Sequence, residues 1–184
     1  MKTTQKNLNR RLQQASAAVL VVSLLLALPV VARASSDGEL YSFLERFHGH
    51  TCAGSLFGLR LGLAAKAALQ PLGKTKARYF DHSCPVDGIQ VGAGTTYGNR
   101  AIEIEDRDQQ RLILTDEGSG RQVEATLTEK AVEMGKSYRQ LSGKRKELPS
   151  GSPEQPRLAG EVAAILSWFR TAPDAEILTV RRLK

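Results

Sequence analysis

The 184-residue chain is predicted to be an α+β protein, helices packed on an antiparallel β-meander, and three observations predict it. Beyond residue 38, two stretches carry apolar residues at three- and four-residue spacing. The middle holds three short runs in which apolar and polar residues alternate, and a further helical pattern and a strand close the chain. Helices and strands thus come in blocks rather than in strict βα alternation, the order expected of an α+β fold.

The N-terminus is set apart before the core is counted. "MKTTQKNLNRR" is basic, "AAVLVVSLLLALPVVA" is apolar, and Ala32, Arg33 and Ala34 form a small-x-small site. This is the layout of a secretory signal peptide, 1–34, cut after Ala34, and it predicts export, to a bacterial periplasm or beyond. The apolar run is shorter than the roughly 20 residues of a membrane span, so no stable membrane insertion is expected after cleavage. Residues 35–184 then form one domain, long enough for its own core.

Export also changes the charge argument. The formal net charge is +7, but Lys2, Lys6, Arg10, Arg11 and Arg33 lie in a leader without acidic residues, and removing those five leaves +2. That balance predicts no nucleic-acid partner. The basic run "KSYRQLSGKRKE" lacks an aromatic stacking platform and reads as a solvated loop.

The elements follow in order. In "GELYSFLERFHGH", Leu40, Phe43, Leu44 and Phe47 mark an amphipathic helix that ends at Gly49. "AGSLFGLRLGLAAKAALQ" is a second helix, stopped by Pro71 and Gly73. Gly54, Gly58 and Gly62 share one face of it. Glycine costs roughly 1 kcal/mol in a helix interior, so the stripe predicts a second backbone packed close, from another helix or a symmetry mate. "KARYFDH" is a strand, and "CPVDGIQVGAG" a short helix entered at Pro85. After the Gly-rich loop "GAGTTYGN", "RAIEIED", "RLILTD" and "RQVEATL" form the meander. "LTEKAVEMGKSYRQLSG" is helical, "KELPSGSPEQP" a connection, "RLAGEVAAILSWFRTA" a last helix and "AEILTVRRL" a last strand.

The chain has three histidines and two cysteines, and all five fall between residues 48 and 84. His48, His50 and Cys52 alternate in "FHGHTCAG"; His82 and Cys84 share "DHSCPVDGIQ". If the first stretch is extended, its three ligands point one way; if it is a helical turn, His48 and Cys52 alone share a face. Imidazole and thiolate are the donors zinc takes in tetrahedral sites, so His48, His50, Cys52 and Cys84 are candidate ligands of zinc or another transition metal. Each cysteine precedes a helix start, where amide N–H groups and the dipole favour a thiolate. Asp87 lies one turn beyond Cys84 and suits three roles: ligand, orienter of a ligand histidine, or charge at the helix N-terminus. The candidate catalytic groups are Cys52 and Cys84, with Asp87 or His82 moving protons beside a metal-activated water. Cys52 and Cys84 also suit a thiol-redox pair or a structural disulfide. No Gly-x-Ser-x-Gly elbow and no Gly-Lys-Ser/Thr phosphate loop occur.

"FHGHTCAGSLFGLRLG" resembles the first signature of the FmdE family, named for a component of formylmethanofuran dehydrogenase, and "CPVDGIQVGAGTTYGN" its second. The resemblance runs from about residue 39 to the end. It implies an α+β core with one pocket formed by His48, His50, Cys52, Cys84, Asp87, Gln90, Thr96 and Gly98. It further implies bound zinc, a small molecule or metal as the partner, and a homodimer. Where many members have Gly-Cys-Thr in the loop, this chain has Gly94, Thr95 and Thr96.

Overall fold

The computed structural model describes residues 38–183; the predicted signal peptide lies outside them. The chain divides into two units, Met1–Ser42 and Phe43–Lys184. Of the first, residues 38–42 are described; they are helical, and the Ser42 hydroxyl donates to Gly38 O at 3.0 Å. The sheet and the helices that cover it belong to the second unit. Among the described residues no helix is long and apolar enough to cross a membrane.

Helix α1, residues 38–48, ends where predicted. Gly49 takes φ +85°, a left-handed conformation that suits glycine, and its N–H donates to Glu45 O at 2.9 Å. Helix α2, Ala53–Leu69, is the centre of the second unit. It is apolar nearly all round, the pattern of a helix covered on several sides. Leu56, Leu59, Leu61 and Ala65 are at most 1% exposed.

The remaining elements are β1 (Thr75–Tyr79), α3 (Pro85–Ala93), β2 (Ile102–Ile104), β3 (Arg111–Asp116), β4 (Gln122–Leu127), α4 (Glu129–Glu147), α5 (Gln155–Thr171), α6 (Asp174–Ile177) and β5 (Leu178–Arg182). The class is α+β, as expected. The meander needs a correction. Strand order is β2-β1-β3-β4-β5, so β1 lies between β2 and β3 and pairs parallel with β2. Only β3, β4 and β5 run as antiparallel neighbours after it. The cause is α3, which carries the chain back so that β2 starts beside β1, as a βαβ crossover does.

In register, Ala77 and Tyr79 stand opposite Leu114 and Leu112, which stand opposite Val123 and Ala125. These side chains are all buried and form the inner sheet face, across which α2 packs on β3, β4 and β5. Their outward neighbours include Arg78, Glu124 and Arg181, so the other face is charged. Helix α5 closes the helical layer through Phe169, which is fully buried with its ring 5.7 Å from that of Phe57.

Arg60 locks α5 to α2. Its guanidinium donates to Phe169 O at 3.1 Å, Arg170 O at 3.3 Å and Ala172 O at 2.8 Å, and pairs with Asp174. These include carbonyls that a helix C-terminus leaves without a partner. Two boundaries differ from expectation. Helix α4 continues past Gly143 to Glu147, so most of the supposed loop of basic residues is a helix end, where cations oppose the dipole favourably. Residues 174–177 are a helical turn before β5 rather than part of it. The glycine stripe faces α3 within the chain, with consequences for the site.

Candidate metal centre

Gly54, Gly58 and Gly62 meet α3 in sequence order. A methyl group on Gly58 would lie 2.2 Å from Pro85 O, and one on Gly54 would lie 2.9 Å from Cys84 Cβ. From the other side, a methyl on Gly88 would lie 2.2 Å from Ser55 O, and one on Gly92 2.5 Å from Leu59 O. The two helices therefore run parallel in backbone contact, their N-termini together. Of the two partners the stripe allows, a helix or a symmetry mate, the one present is helix α3.

This packing brings the two cysteines together, because each is an N-cap. Cys52 Sγ accepts from Ser55 N at 3.3 Å, and the Ser55 hydroxyl lies 3.4 Å from Cys52 N, a capping box built on a thiol. Cys84 precedes Pro85 at the start of α3 and makes no side-chain cap. Both cysteines are free, Cys52 buried and Cys84 exposed. At the end of α1, His48 supplies the third donor. Its Nε2 lies 3.6 Å from Cys52 Sγ, and one donor atom each of His48, Cys52 and Cys84 lie within 4.8 Å of one another.

The opposite nitrogen of His48 is held. Nδ1 lies 2.7 Å from Asp87 Oδ2, so it donates there and leaves the Nε2 lone pair toward the sulfurs. Gln90 Nε2 donates to Asp87 Oδ1 at 3.2 Å, and Gln90 Oε1 accepts from Tyr97 N at 2.8 Å. One polar chain thus runs from the sulfurs through His48, Asp87 and Gln90 into the Gly-rich loop. Of the three roles open to Asp87, the orienting one is the role its geometry serves.

Other expected residues stand apart. His50 is exposed and outside the donor cluster, although its ring lies 4.5 Å from that of His48. The helix that continues to residue 48 and the bend at Gly49 replace the extended geometry that would have aimed all three ligands together. His82 is exposed and lines a cleft with Tyr97 and β2, outside the donor cluster. Thr96 and Gly98 are exposed loop residues; Thr96 O accepts from Ala101 N at 3.1 Å. Thr95, where many FmdE sequences have cysteine, is fully buried, and its hydroxyl has no hydrogen-bond partner among the described residues.

The Cys84 thiol departs from the helix-dipole expectation. Burial, followed by the charge of Cys52, pushes it up to about 11 instead of down. Two adjacent sulfurs oppose each other's ionisation, and a cation between them is what reverses that opposition. The donor set fits such an ion. Tetrahedral zinc, with bonds of about 2.3 Å to sulfur and about 2.1 Å to nitrogen, needs ligand atoms about 3.6–3.8 Å apart. His48 Nε2 and Cys52 Sγ already meet that spacing.

Two further groups carry no signal of their own in the sequence. Tyr138 of α4 has its hydroxyl pushed up by burial and then by the charges of Cys52 and Cys84, which places α4 beside the sulfurs. Tyr79, fully buried, donates to Gln110, whose Nε2 donates to Asp81 Oδ2 at 2.9 Å; Ser83 also donates to Asp81. That network ties down the segment delivering Cys84. Only the Asp-x-Ser spacing just before Cys84 hints at it.

Fold and donor cluster together define an α+β domain with a His/Cys group able to hold a metal. The chain belongs to the FmdE family: the family model described as "FmdE, Molybdenum formylmethanofuran dehydrogenase operon" matches residues 47–179. Among solved structures it is similar to an FmdE-like protein of the tungsten formylmethanofuran dehydrogenase type from Syntrophus aciditrophicus. The two share 22% identity and a TM-score of 0.54, over 80% of this chain and 72% of that one, which supports the fold. No curated protein matches.

Proposed function

We propose that this is an exported FmdE-like zinc-binding protein whose ion is held by His48, Cys52 and Cys84. The convergence of those three donors from α1, α2 and α3 carries the reading. Asp87 fixes the tautomer and aim of His48, and Gln90 fixes Asp87. Three protein donors leave a fourth tetrahedral position, the arrangement of catalytic rather than closed structural sites. When bound, zinc would supply Lewis-acid activation of a water or small ligand at that position. His50, exposed beside His48, and Tyr138 stand nearest as further polar groups. Export rests on the leader's charge and apolar pattern, and a homodimer on the family resemblance alone, since the glycine stripe is occupied by α3.

A second reading has one observation in its favour: the two free sulfurs lie within 4.8 Å of each other, so Cys52 and Cys84 suit a thiol-redox pair. One experiment separates the two. The protein is purified without metal-affinity resin, its metal is measured by elemental analysis, and its thiols are counted by mass after alkylation. Stoichiometric zinc with two protected thiols supports the metal centre. A metal-free protein carrying a Cys52–Cys84 bond overturns it and favours the redox pair.

A further inference from the structure

Strand β2 is an edge of the sheet, paired with β1 alone. Ala77 N donates to Ala101 O and Glu105 N to Tyr79 O, both at 2.8 Å. Backbone groups alternate sides along a strand, so residues 101, 103 and 105 turn theirs toward β1. Ile102 and Ile104 therefore turn N–H and C=O outward, as an unpaired template. The strand has none of the usual protection, neither proline nor lysine.

A cleft of about 480 Å³ lies along the same edge, lined by His82, Tyr97, Ile102, Glu103, Ile104 and Asp106. Tyr97 is 76% exposed at its rim. The cleft holds two carboxylates and no lysine or arginine. Glu103 is paired with Lys76, and Asp106 makes no ion pair among the described residues.

The geometry points to a peptide-docking edge: β2 takes an extended segment of a partner protein as a sixth strand, a lysine or arginine of that segment meeting Asp106. Backbone bonds to Ile102 and Ile104 supply the pairing, Ile104 and Tyr97 the apolar contact, and Asp106 the preference for a cation. A second copy is a poor occupant, because antiparallel self-pairing centred on Glu103 sets like carboxylates against each other. The cleft is also coupled to the donor cluster. His82 is two residues from Cys84, and Tyr97 N is held by Gln90, which holds Asp87. The inference does not depend on a metal being bound.

The test uses the full chain and two fluorescein-labelled nine-residue peptides, one alternating lysine with valine, the other glutamate with valine. Fluorescence anisotropy at low salt is expected to show saturable binding of the lysine peptide and about fivefold weaker binding of the glutamate peptide. Asp106→Lys, an exposed change, is expected to reverse that preference. Ile104→Pro, which removes an outward N–H and no bond to β1, is expected to weaken both peptides about tenfold. The inference is overturned if the lysine peptide fails to saturate, if Asp106→Lys leaves the preference unchanged, or if folded Ile104→Pro binds like the parent. Sedimentation showing a dimer that Ile104→Pro dissolves would assign the edge to a second copy instead.

Discussion

His48 works through both ring nitrogens, and Asp87 decides which of them faces the sulfurs. With Nδ1 bonded to Asp87 at 2.7 Å, the ring has one tautomer and one aim. Asp87→Asn removes the charge while keeping the size of the side chain. It is expected to weaken zinc binding by about 10–100-fold in competition with a chromophoric chelator, with the far-ultraviolet circular dichroism unchanged. If Asp87 served only the α3 N-terminus, the variant would lose about 0.3–1 kcal/mol of stability and no affinity. Cys84 makes a second prediction at this scale. Its thiol is exposed yet pushed up to about 11 from 9.0, chiefly by burial of the sulfur and then by Cys52. Below pH 9 that shift leaves about 100-fold less thiolate than an ordinary cysteine has. Iodoacetamide should therefore label Cys84 of the metal-free protein about 100-fold more slowly than free cysteine at pH 8, as read by mass spectrometry. Equal rates would show that neither burial nor Cys52 governs this thiol.

Helices α2 and α3 act as one element because glycines let their backbones touch. Gly58→Ala would put a methyl 2.2 Å from Pro85 O, a backbone atom that cannot swing aside. It is expected to cost about 3 kcal/mol in urea denaturation and to weaken zinc binding, since Cys84 moves with Pro85. Gly160→Ala is the control: a methyl there meets nothing within 4 Å, and it should stabilise the protein by about 0.5–1 kcal/mol. Glycine alone would make both substitutions alike; only contact with α3 separates them. The stripe is legible in the sequence as a demand for close approach, because its four-residue period is a local property. Its partner is not, since nothing local distinguishes α3 from a neighbouring protomer. The same limit explains β2. Its three residues alternate well enough to be recognised, but pairing with β1 depends on where α3 returns the chain. At the site, the clustering of His48, Cys52 and Cys84 is readable from scarcity. Excluding His50 requires knowing that the helix persists to residue 48.

For the molecule as a whole, stability should depend on pH at two edges, and each edge has an identifiable group. In the β3–β4 hairpin, the Asp116 carboxyl accepts from the Ser119 hydroxyl at 2.8 Å, from Arg121 at 3.2 Å and from Gly118 N at 3.2 Å. These bonds, the Ser119 bond foremost, hold its pKa below the usual carboxylate value. A group whose folded pKa is lowered contributes stability above its unfolded pKa, about 3.9, and loses it as pH falls through the lower folded value. Cys84 has the opposite sign. Its folded pKa is raised to about 11, so its contribution is present below the ordinary value of 9.0 and is lost as pH climbs from 9.0 to about 11. Metal-free protein should therefore show a plateau in urea midpoint between about pH 4 and pH 9, falling on both sides. Zinc should remove the alkaline fall, because the bound sulfurs are thiolates and folding then no longer favours the protonated form. It should leave the Asp116 edge in place, and Asp116→Asn should flatten that edge alone. An alkaline fall that persists unchanged with zinc at saturation would mean that Cys84 does not hold the ion.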